Sequence, residues 1–486
     1  MLLHTTLFLP LAFALLSYLS GNRFSRIVSF VGSLLTLTSG VLLWYTFRKG
    51  GYEAIQISKA WISSPAISYA LLLDGLSMAL VGLTVVLVPL IILTTFKREV
   101  KRPAVFYGLL LLMQFGMLGV FVASDGFLYY IFWELALIPI YFIALIWGEG
   151  QDVSFRQRAI FKFFVYTLAG SLFMLIGFIY LYQHTGTFAL QGLYQSKLDK
   201  AEQLWLFWAF FAAYAIKIPV FPFHTWQPDT YREAPGPGTM LLSGIMLKMG
   251  LYSMMRWLLP VLPQGVEFWT PYVIVLCVVG VIYGSVIAIR QDDLKKLFAY
   301  SSFAHVGLIA AGIFTLTREG MQGAVVQMIA HGVNVVALFF AAEIILQRTG
   351  TLNIARLGGI RHIAPRFATA LMITVLASVA LPGTNAFIGE FLLLVSAYTY
   401  NKWLAAAAGL TVILGAVYML RMYQRVMLGD TTADTNNFTD LGKTETIVFA
   451  VIIVFIFLFG LFPSPILNML ENSVDMILAL SFRTAL

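Results

Sequence analysis

Along this chain apolar residues come in runs of about twenty, parted by short polar stretches, from one end to the other. A run of that length spans the hydrocarbon core of a bilayer as a helix. The runs centre near residues 11, 37, 84, 113, 137, 171, 213, 248, 281, 308, 333, 384, 414 and 454, and they predict about fourteen transmembrane helices. The expected fold class is an all-α polytopic membrane protein. The longest polar stretch, around Gly429–Glu445, is too short to fold alone and reads as a loop. An apolar tail, Pro465–Leu480, carries Glu471 and Asp475 and reads as an interfacial helix. The first run, Leu2–Leu19, has no basic beginning and "SYLSGNR" is a poor cleavage site, so it reads as a retained span.

Composition agrees with this reading. Residues of the AVILMFWYC set make up 60% of the 486, and charged residues 11%; a soluble domain has about 45–50% and about 25%. The single cysteine, Cys277, lies in an apolar run, which excludes a disulfide within the chain and a thiolate-held cluster. There is no dinucleotide fingerprint, no pair of histidines at metal spacing, and no Lys-Ser/Thr after the glycines of "APGPGT". No cofactor and no metal is expected on this chain.

Charge gives an orientation. Lysine and arginine concentrate in loops after odd-numbered segments: "KREVKR" at 97–102, "RQDDLKK" at 290–296, and the stretch with Arg348, Arg356, Arg361 and Arg366. The positive-inside rule places those loops in the cytoplasm and both termini on the outer side. This asymmetry accounts for much of the net charge of +8. No interleaved basic and aromatic surface points to nucleic acid; the lipid bilayer is the expected surrounding.

Four ionisable residues sit well inside apolar runs: Glu134, Lys217, Lys248 and Glu390. Each costs about 2.5–3.5 kcal/mol at a helix centre on insertion scales. Two readings stand. Static buried ion pairs that fix helix packing are one, although apolar replacements of such pairs are often neutral or stabilising. A proton relay is the other: burial disfavours a charged lysine and a nearby carboxylate favours it, so small movements switch proton affinity. On the relay reading Glu134 holds Lys217, which passes its proton toward Lys248 or water.

Two segments are interrupted. In "AAYAIKIPVFPFHTWQPD" the prolines Pro219 and Pro222 follow Lys217 and cannot bond the carbonyls of Ala215 and Ile218. Irregular backbone at membrane depth persists where protein or a water-lined cavity satisfies it. A plain kink is the simpler account of a membrane proline, and it suits Pro139, five residues past Glu134 with no further breaker. In "SVALPGTNAFIGEF" Pro382 and Gly383 break the twelfth segment ahead of Glu390. Broken helices in matching places point to inverted repeats with a site between them. The repeats are set at 104–260 (helices 4–8) and 271–428 (helices 9–13), with helices 1–3 in 1–103, and helix 14 and the tail in 429–486. His331 and His305 lie between the lysine pair and Glu390; histidine exchanges protons near neutral pH, while a lone membrane histidine is also a common packing group. His224 and Asp229 are candidates for a cytoplasmic mouth, or ordinary loop polarity.

"KIPVFPFHTWQPD", "LLSGIMLKMG", "FWELALIPIYF", "LFAYSSFAHVG", "MIAHGV" and "LPGTNAFIGEFLLL" together resemble the antiporter-like membrane subunits of respiratory complex I, NADH:quinone oxidoreductase, from about residue 70 to 430. The resemblance implies fourteen helices, two inverted five-helix repeats, and proton translocation driven by quinone reduction elsewhere in the complex. It implies NADH, FMN, iron-sulfur clusters and quinone on partner subunits, and neighbouring antiporter-like subunits as partners in a bacterial plasma membrane. Glu134, Lys217, Lys248 and Glu390 match the family's charged positions, His331 a central-axis position and His305 a polar one. The carboxylate at 390 resembles the branch that uses one there instead of lysine. Tyr231 stands where the family pattern commonly has a histidine, which puts a proton-uptake role at that position in doubt. Sodium/proton antiporters and membrane-bound hydrogenases share the helices, and a structural scaffold remains the third alternative.

Overall fold

The computed structural model describes residues 1–150 and 152–482. Two long helices, α1 (Leu2–Leu19) and α2 (Gly21–Lys49), lead into an antiparallel hairpin of β1 (Ile55–Ile62) and β2 (Ile67–Leu73). The helices α3 (Gly75–Thr94), α4 (Pro103–Val122), α5 (Gly126–Trp147) and α6 (Val153–Thr185) follow, then the short α7 (Leu190–Tyr194). Next come α8 (Lys200–Lys217), α9 (Gln227–Glu233) and α10 (Gly236–Leu241). The last of these passes through a π turn, Leu242–Met246, into α11 (Leu247–Ser253), and a second π turn at Met254–Leu258. The chain continues as α12 (Pro263–Ile289), α13 (Leu294–Phe314) and α14 (Arg318–Thr349), a 3₁₀ turn at Ile354–Arg356, and α15 (Ile360–Ile363). It ends with α16 (Pro365–Ser378), α17 (Asn385–Tyr400), α18 (Lys402–Met427), α19 (Lys443–Leu461) and α20 (Ser464–Ser481).

Among the described residues, eleven helices are long and apolar enough to cross a membrane. The β-hairpin is a departure from the all-α expectation. Its strands alternate too weakly to stand out in so apolar a sequence: only β2 is buried, and β1 is largely exposed.

Aspartates start many of the helices. The side chains of Asp74, Asp125, Asp152, Asp199 and Asp293 each accept a backbone N–H from the first turn of the helix they precede, which satisfies donors the helix itself leaves unpaired. The core is helical and apolar, and α13 and α14 lie at its centre, each 94% buried over its most apolar stretch. By contrast α18 and α19 are 28% buried and turn side chains such as Ile413 and Val454 outward. Apolar residues on the outside are what a bilayer solvates.

The helix pairs α5/α6 and α13/α14 end alike. After α6, Thr185-Gly186-Thr187 turns through a left-handed glycine, and Ala189 bridges to Asp125 ahead of α5. After α14, Thr349-Gly350-Thr351 does the same, and Asn353 bridges to Asp293 ahead of α13. The hydroxyls of Thr185 and Thr349 each donate to a carbonyl two residues on, both at 3.0 Å. The amides of Leu190 and Ile354 close the bridges on Ser124 and Asp292 at 2.9 and 2.8 Å. The tail helix α20 packs one face, including Met469, Ser473 and Val474, against α3 and α14; Glu471 and Asp475 on its other side face Arg318 at 3.3 and 3.4 Å. Residues 483–486 at the end of the expected last segment lie outside the described residues.

Candidate functional site

α8 stops at Lys217, where Pro219 removes the next amide. The carbonyls this frees are met by protein groups. Val220 N–H donates to Ala215 O at 2.7 Å, and the Trp226 indole N–H to Ile216 O at 2.8 Å. The unpaired group is the lysine itself: Lys217 is 2% exposed, and its Nζ has no hydrogen-bond partner among the described residues. That atom lies 5.2 Å from the centroid of the Trp133 ring, within the range of a cation–π attraction.

The expected hold of Glu134 on Lys217 acts without direct contact. The two interact electrostatically, but among the described residues they form no ion pair. Neighbours on a helix point about 100° apart, so Trp133 and Glu134 approach Lys217 from different directions. Trp133 faces it, and the half-buried Glu134 turns toward Tyr130 and Ser171. Pro139 sits within an unbroken α5.

Lys248 lies between the two π turns, a distortion often found at functional positions. Fully buried, it donates from Nζ to Ser243 O at 2.5 Å and meets His331 Nδ1 on α14 at 2.8 Å. The rings of His331 and His305, from α14 and α13, are 6.2 Å apart. With Ser301, Ser302, Gln327 and Asn334 they line a cavity of about 20 Å³, room for one water. Among the described residues, His305 Nδ1, His331 Nε2 and Gln327 Oε1 have no protein partner, so the groups a bridging water needs are present.

The second break closes this cavity. α16 ends at Ser378 and α17 begins at Asn385, with Gly383 between them at φ +91°, a conformation glycine adopts without strain. Ser378 and Ala386 complete the cavity wall, and Asn385 Nδ2–H donates to Asn334 Oδ1 at 3.1 Å. From Ser301 the polar line runs through Tyr418, whose hydroxyl is 3.1 Å away, toward Glu390. Glu390 is 3% exposed, and its Oε2 has no partner among the described residues. The structure thus gathers Lys248, His331 and His305, and sets Glu390 one tyrosine beyond them. Lys217 and Glu134 form a separate station on α8 and α5.

The other expected residues lie nearby. His224 is buried, stacked on Phe303 with ring centroids 4.5 Å apart, and its Nδ1 is unpaired. Asp229 is partly exposed and pairs with Lys296 at 3.4 Å. Tyr231 is fully buried with its ring against Phe339 and its hydroxyl beside Gln227.

Sequence reading missed two further charged groups. Asp74 and the fully buried Arg256 pair at 2.6 Å. Arg98 bridges Glu149 at 2.5 Å and Glu343 at 2.8 Å, and Lys295 donates to Glu149 at 2.6 Å. Burial alone would raise the Glu149 pKa; the charges and hydrogen bonds of Lys295 and Arg98 outweigh it and hold the carboxyl at about 2. Arg256 in "SMMRWLLP" and Glu343 in "FFAAEIILQ" were as visible in apolar runs as Lys248. Glu149 and Lys295 stand near helix ends, where a charge raises no flag. Among the described residues, no three His, Cys, Asp or Glu side chains are placed to hold a metal ion.

A polytopic helical bundle with buried charges on interrupted helices defines the antiporter-like class of membrane proteins, and comparison with known proteins agrees. Residues 123–415 match the family described as NADH:quinone oxidoreductase/Mrp antiporter, TM. NADH-quinone oxidoreductase subunit M of Rickettsia conorii is 40% identical over 459 residues, 93% of this chain and 92% of that protein. A chain of respiratory complex I from Thermus thermophilus with bound NADH superposes with a TM-score of 0.91 at 31% identity, covering 99% of this chain and all of that one. A chain of the Mrp complex from Dietzia sp. shares the fold, with a TM-score of 0.85 at 21% identity over 99% of this chain and 52% of that one. The chain belongs to the family of subunit M, the antiporter-like membrane subunits of NADH:quinone oxidoreductase.

Proposed function

We propose that this chain moves protons across the membrane through Glu134, Lys217, Lys248, His331 and Glu390, with His305 as a further member, driven by redox chemistry on partner subunits. The contact between Lys248 and His331 carries the reading. It joins a lysine of residues 104–260 to a histidine of residues 271–428, so a proton shift at either end changes the field at the other. Moving one charge against 100 mV takes about 2.3 kcal/mol, and the energy must come from outside the chain. NADH, FMN, iron-sulfur clusters and quinone belong to partners on this reading, and neighbouring antiporter-like subunits flank the bundle.

The same reading takes the chain as fourteen spans, with the segments interrupted near Lys217 and Pro382 as the seventh and twelfth. Residues 104–260 and 271–428 are inverted repeats, which the matched Thr-Gly-Thr turns and Asp bridges after α6 and α14 support. Residues 1–103 add three helices, and 429–486 the last helix and tail. The loops rich in Lys and Arg face the cytoplasm, His224 and Asp229 mark the mouth on that side, and both termini lie outside.

Inverted membrane vesicles carrying the assembled complex with Lys217→Ala test this, with NADH oxidation and acidification followed together while sodium is varied. Pumping and coupled oxidation fall together if the relay holds. Loss of sodium-dependent exchange with NADH oxidation intact identifies a sodium/proton antiporter. Full pumping by the assembled variant leaves the buried charges as packing features.

A further inference from the structure

On the face that carries Glu149, Gly150 and Asp152 and the loops 290–293 and 350–356, a cavity of about 650 Å³ opens between the two halves of the chain. Asp152, Asp292, Asp293, Glu149 and Glu233 stand in its wall with Arg232 and Arg356, so the lining is acidic on balance, and such a cleft gathers cations, protons among them. Glu233 differs from the rest. It is 1% exposed and unites two kinds of oxygen: Oε1 accepts from Arg232 Nη1 at 3.0 Å, while Oε2 has no hydrogen-bond partner among the described residues. That free oxygen lies directly over Gly150, where a Cβ would overlap it. A proton can therefore settle on Oε2 without breaking the bond to Arg232.

Behind Glu233 the backbone and the missed ion cluster continue the line. Glu149 N–H donates to Glu233 O at 2.9 Å, and Lys295 Nζ, fully buried, donates to both Glu149 and Ala234 O. Arg98 carries the cluster on to Glu343, whose Oε2 is again buried and without a partner among the described residues, beside Gly236 at the start of α10. From there α10 and its π turn lead to Ser243 and Lys248.

We propose that this cavity is the vestibule through which the chain takes up protons, and that Glu233 is the first acceptor, with Gly150 as the small residue its free oxygen requires. The inference rests on the proton-translocating reading above. A hydronium ion in the vestibule gives its proton to Glu233 Oε2 and leaves as water.

The test uses the assembled complex in inverted and right-side-out vesicles. Glu233→Gln is expected to slow pumping and coupled NADH oxidation by about tenfold or more, Glu233→Asp to recover much of the rate, and Gly150→Ala, which leaves Glu233 in place but displaces Oε2, to act like Glu233→Gln. Should Glu233→Gln not assemble, Gly150→Ala decides. The native Cys277 is buried, so an Asn353→Cys variant reports access to the vestibule through labelling of this chain. A membrane-impermeant maleimide is expected to label it in inverted vesicles and not in right-side-out ones. Wild-type pumping by assembled Gly150→Ala and Glu233→Gln, with Lys217→Ala inactive, overturns the vestibule and leaves the relay standing. Wild-type pumping by all three variants overturns both. Labelling that fails in both orientations, or occurs only from the outer side, also overturns the vestibule.

Discussion

Lys248 and His331 meet at 2.8 Å in the centre of the bundle, and the same lysine donates to the carbonyl of Ser243. Since a lysine ammonium has no lone pair, His331 Nδ1 is the acceptor whenever Lys248 is charged, and the histidine then carries its proton on Nε2. That nitrogen points to the cavity shared with His305. A proton leaving Lys248 has a waiting base on one side and a water-sized space beyond it.

The first expectation concerns coupling in this pair. Lys248→Ala and His331→Ala should each cut NADH-driven pumping by about a hundredfold, the lower range of a positioned acid or base. The double variant should lose little more than either single one, because residues acting as a unit are strongly non-additive. Pumping rates normalised to assembled complex complete the cycle; losses that multiply would mean that the two residues act independently.

The Tyr418 hydroxyl bonds Ser301 on the cavity wall at 3.1 Å and lies in the field of Glu390. Tyr418→Phe keeps the ring and removes that group, so assembly should be normal. Pumping should slow by no more than about tenfold, the worth of one hydrogen bond, because water can replace a hydroxyl. Glu390→Gln should be the more severe variant in the same vesicle assay, and the reverse order would place the route elsewhere.

Asp74 and Arg256 are expected to matter for stability. Asp74→Asn leaves a buried guanidinium uncompensated and should cost about 3–5 kcal/mol, whereas Asp74→Leu with Arg256→Met should cost less than the single change. Thermal unfolding in detergent, followed by loss of assembled protein, makes the comparison. A single variant as stable as wild type would show that water or another carboxylate takes over the pair.

Glu149 gives an expectation about pH. A folded-state pKa lowered from 4.5 to about 2 means that its stabilisation is fully present above 4.5 and is lost as pH falls through 2. Any fall in activity between pH 5 and 7 must then come from other groups. Glu149→Gln should lower stability by a similar amount at pH 5 and at pH 8, as read from the pH dependence of thermal unfolding. A loss confined to pH 8 would mean that the carboxyl is already neutral at pH 5.

Much of this protein was legible because membrane spans are local. The apolar runs around residues 84, 113 and 137 fall within α3, α4 and α5, since bilayer thickness fixes their length wherever they sit in the fold. The break after Lys217 was equally local, because Pro219 acts on its own missing amide. The hairpin of β1 and β2 escaped notice for the opposite reason. Its strands are defined by pairing with each other, Ile55 with Leu73 and Ser58 with Ala70, in a register no single strand displays. The matched "TGT" turns at 185–187 and 349–351 were in plain view, and only their identical bonding gives them meaning.

The sequence by itself determined that the chain is a bundle of membrane helices, which of them are interrupted, and that Lys217, Lys248, Glu134 and Glu390 pay a desolvation cost. These follow from hydropathy, proline geometry and the poor solvation of charge in lipid, all properties of a residue and its near neighbours. Which charges meet was decided by tertiary structure. Lys248 finds His331 across 83 residues and Lys295 finds Glu149 across 146, while Lys217 faces the ring of Trp133 instead of the adjacent carboxylate. Helix packing sets those partners, because a side chain's direction is fixed by its place around the helix and by which neighbour that face is pressed against.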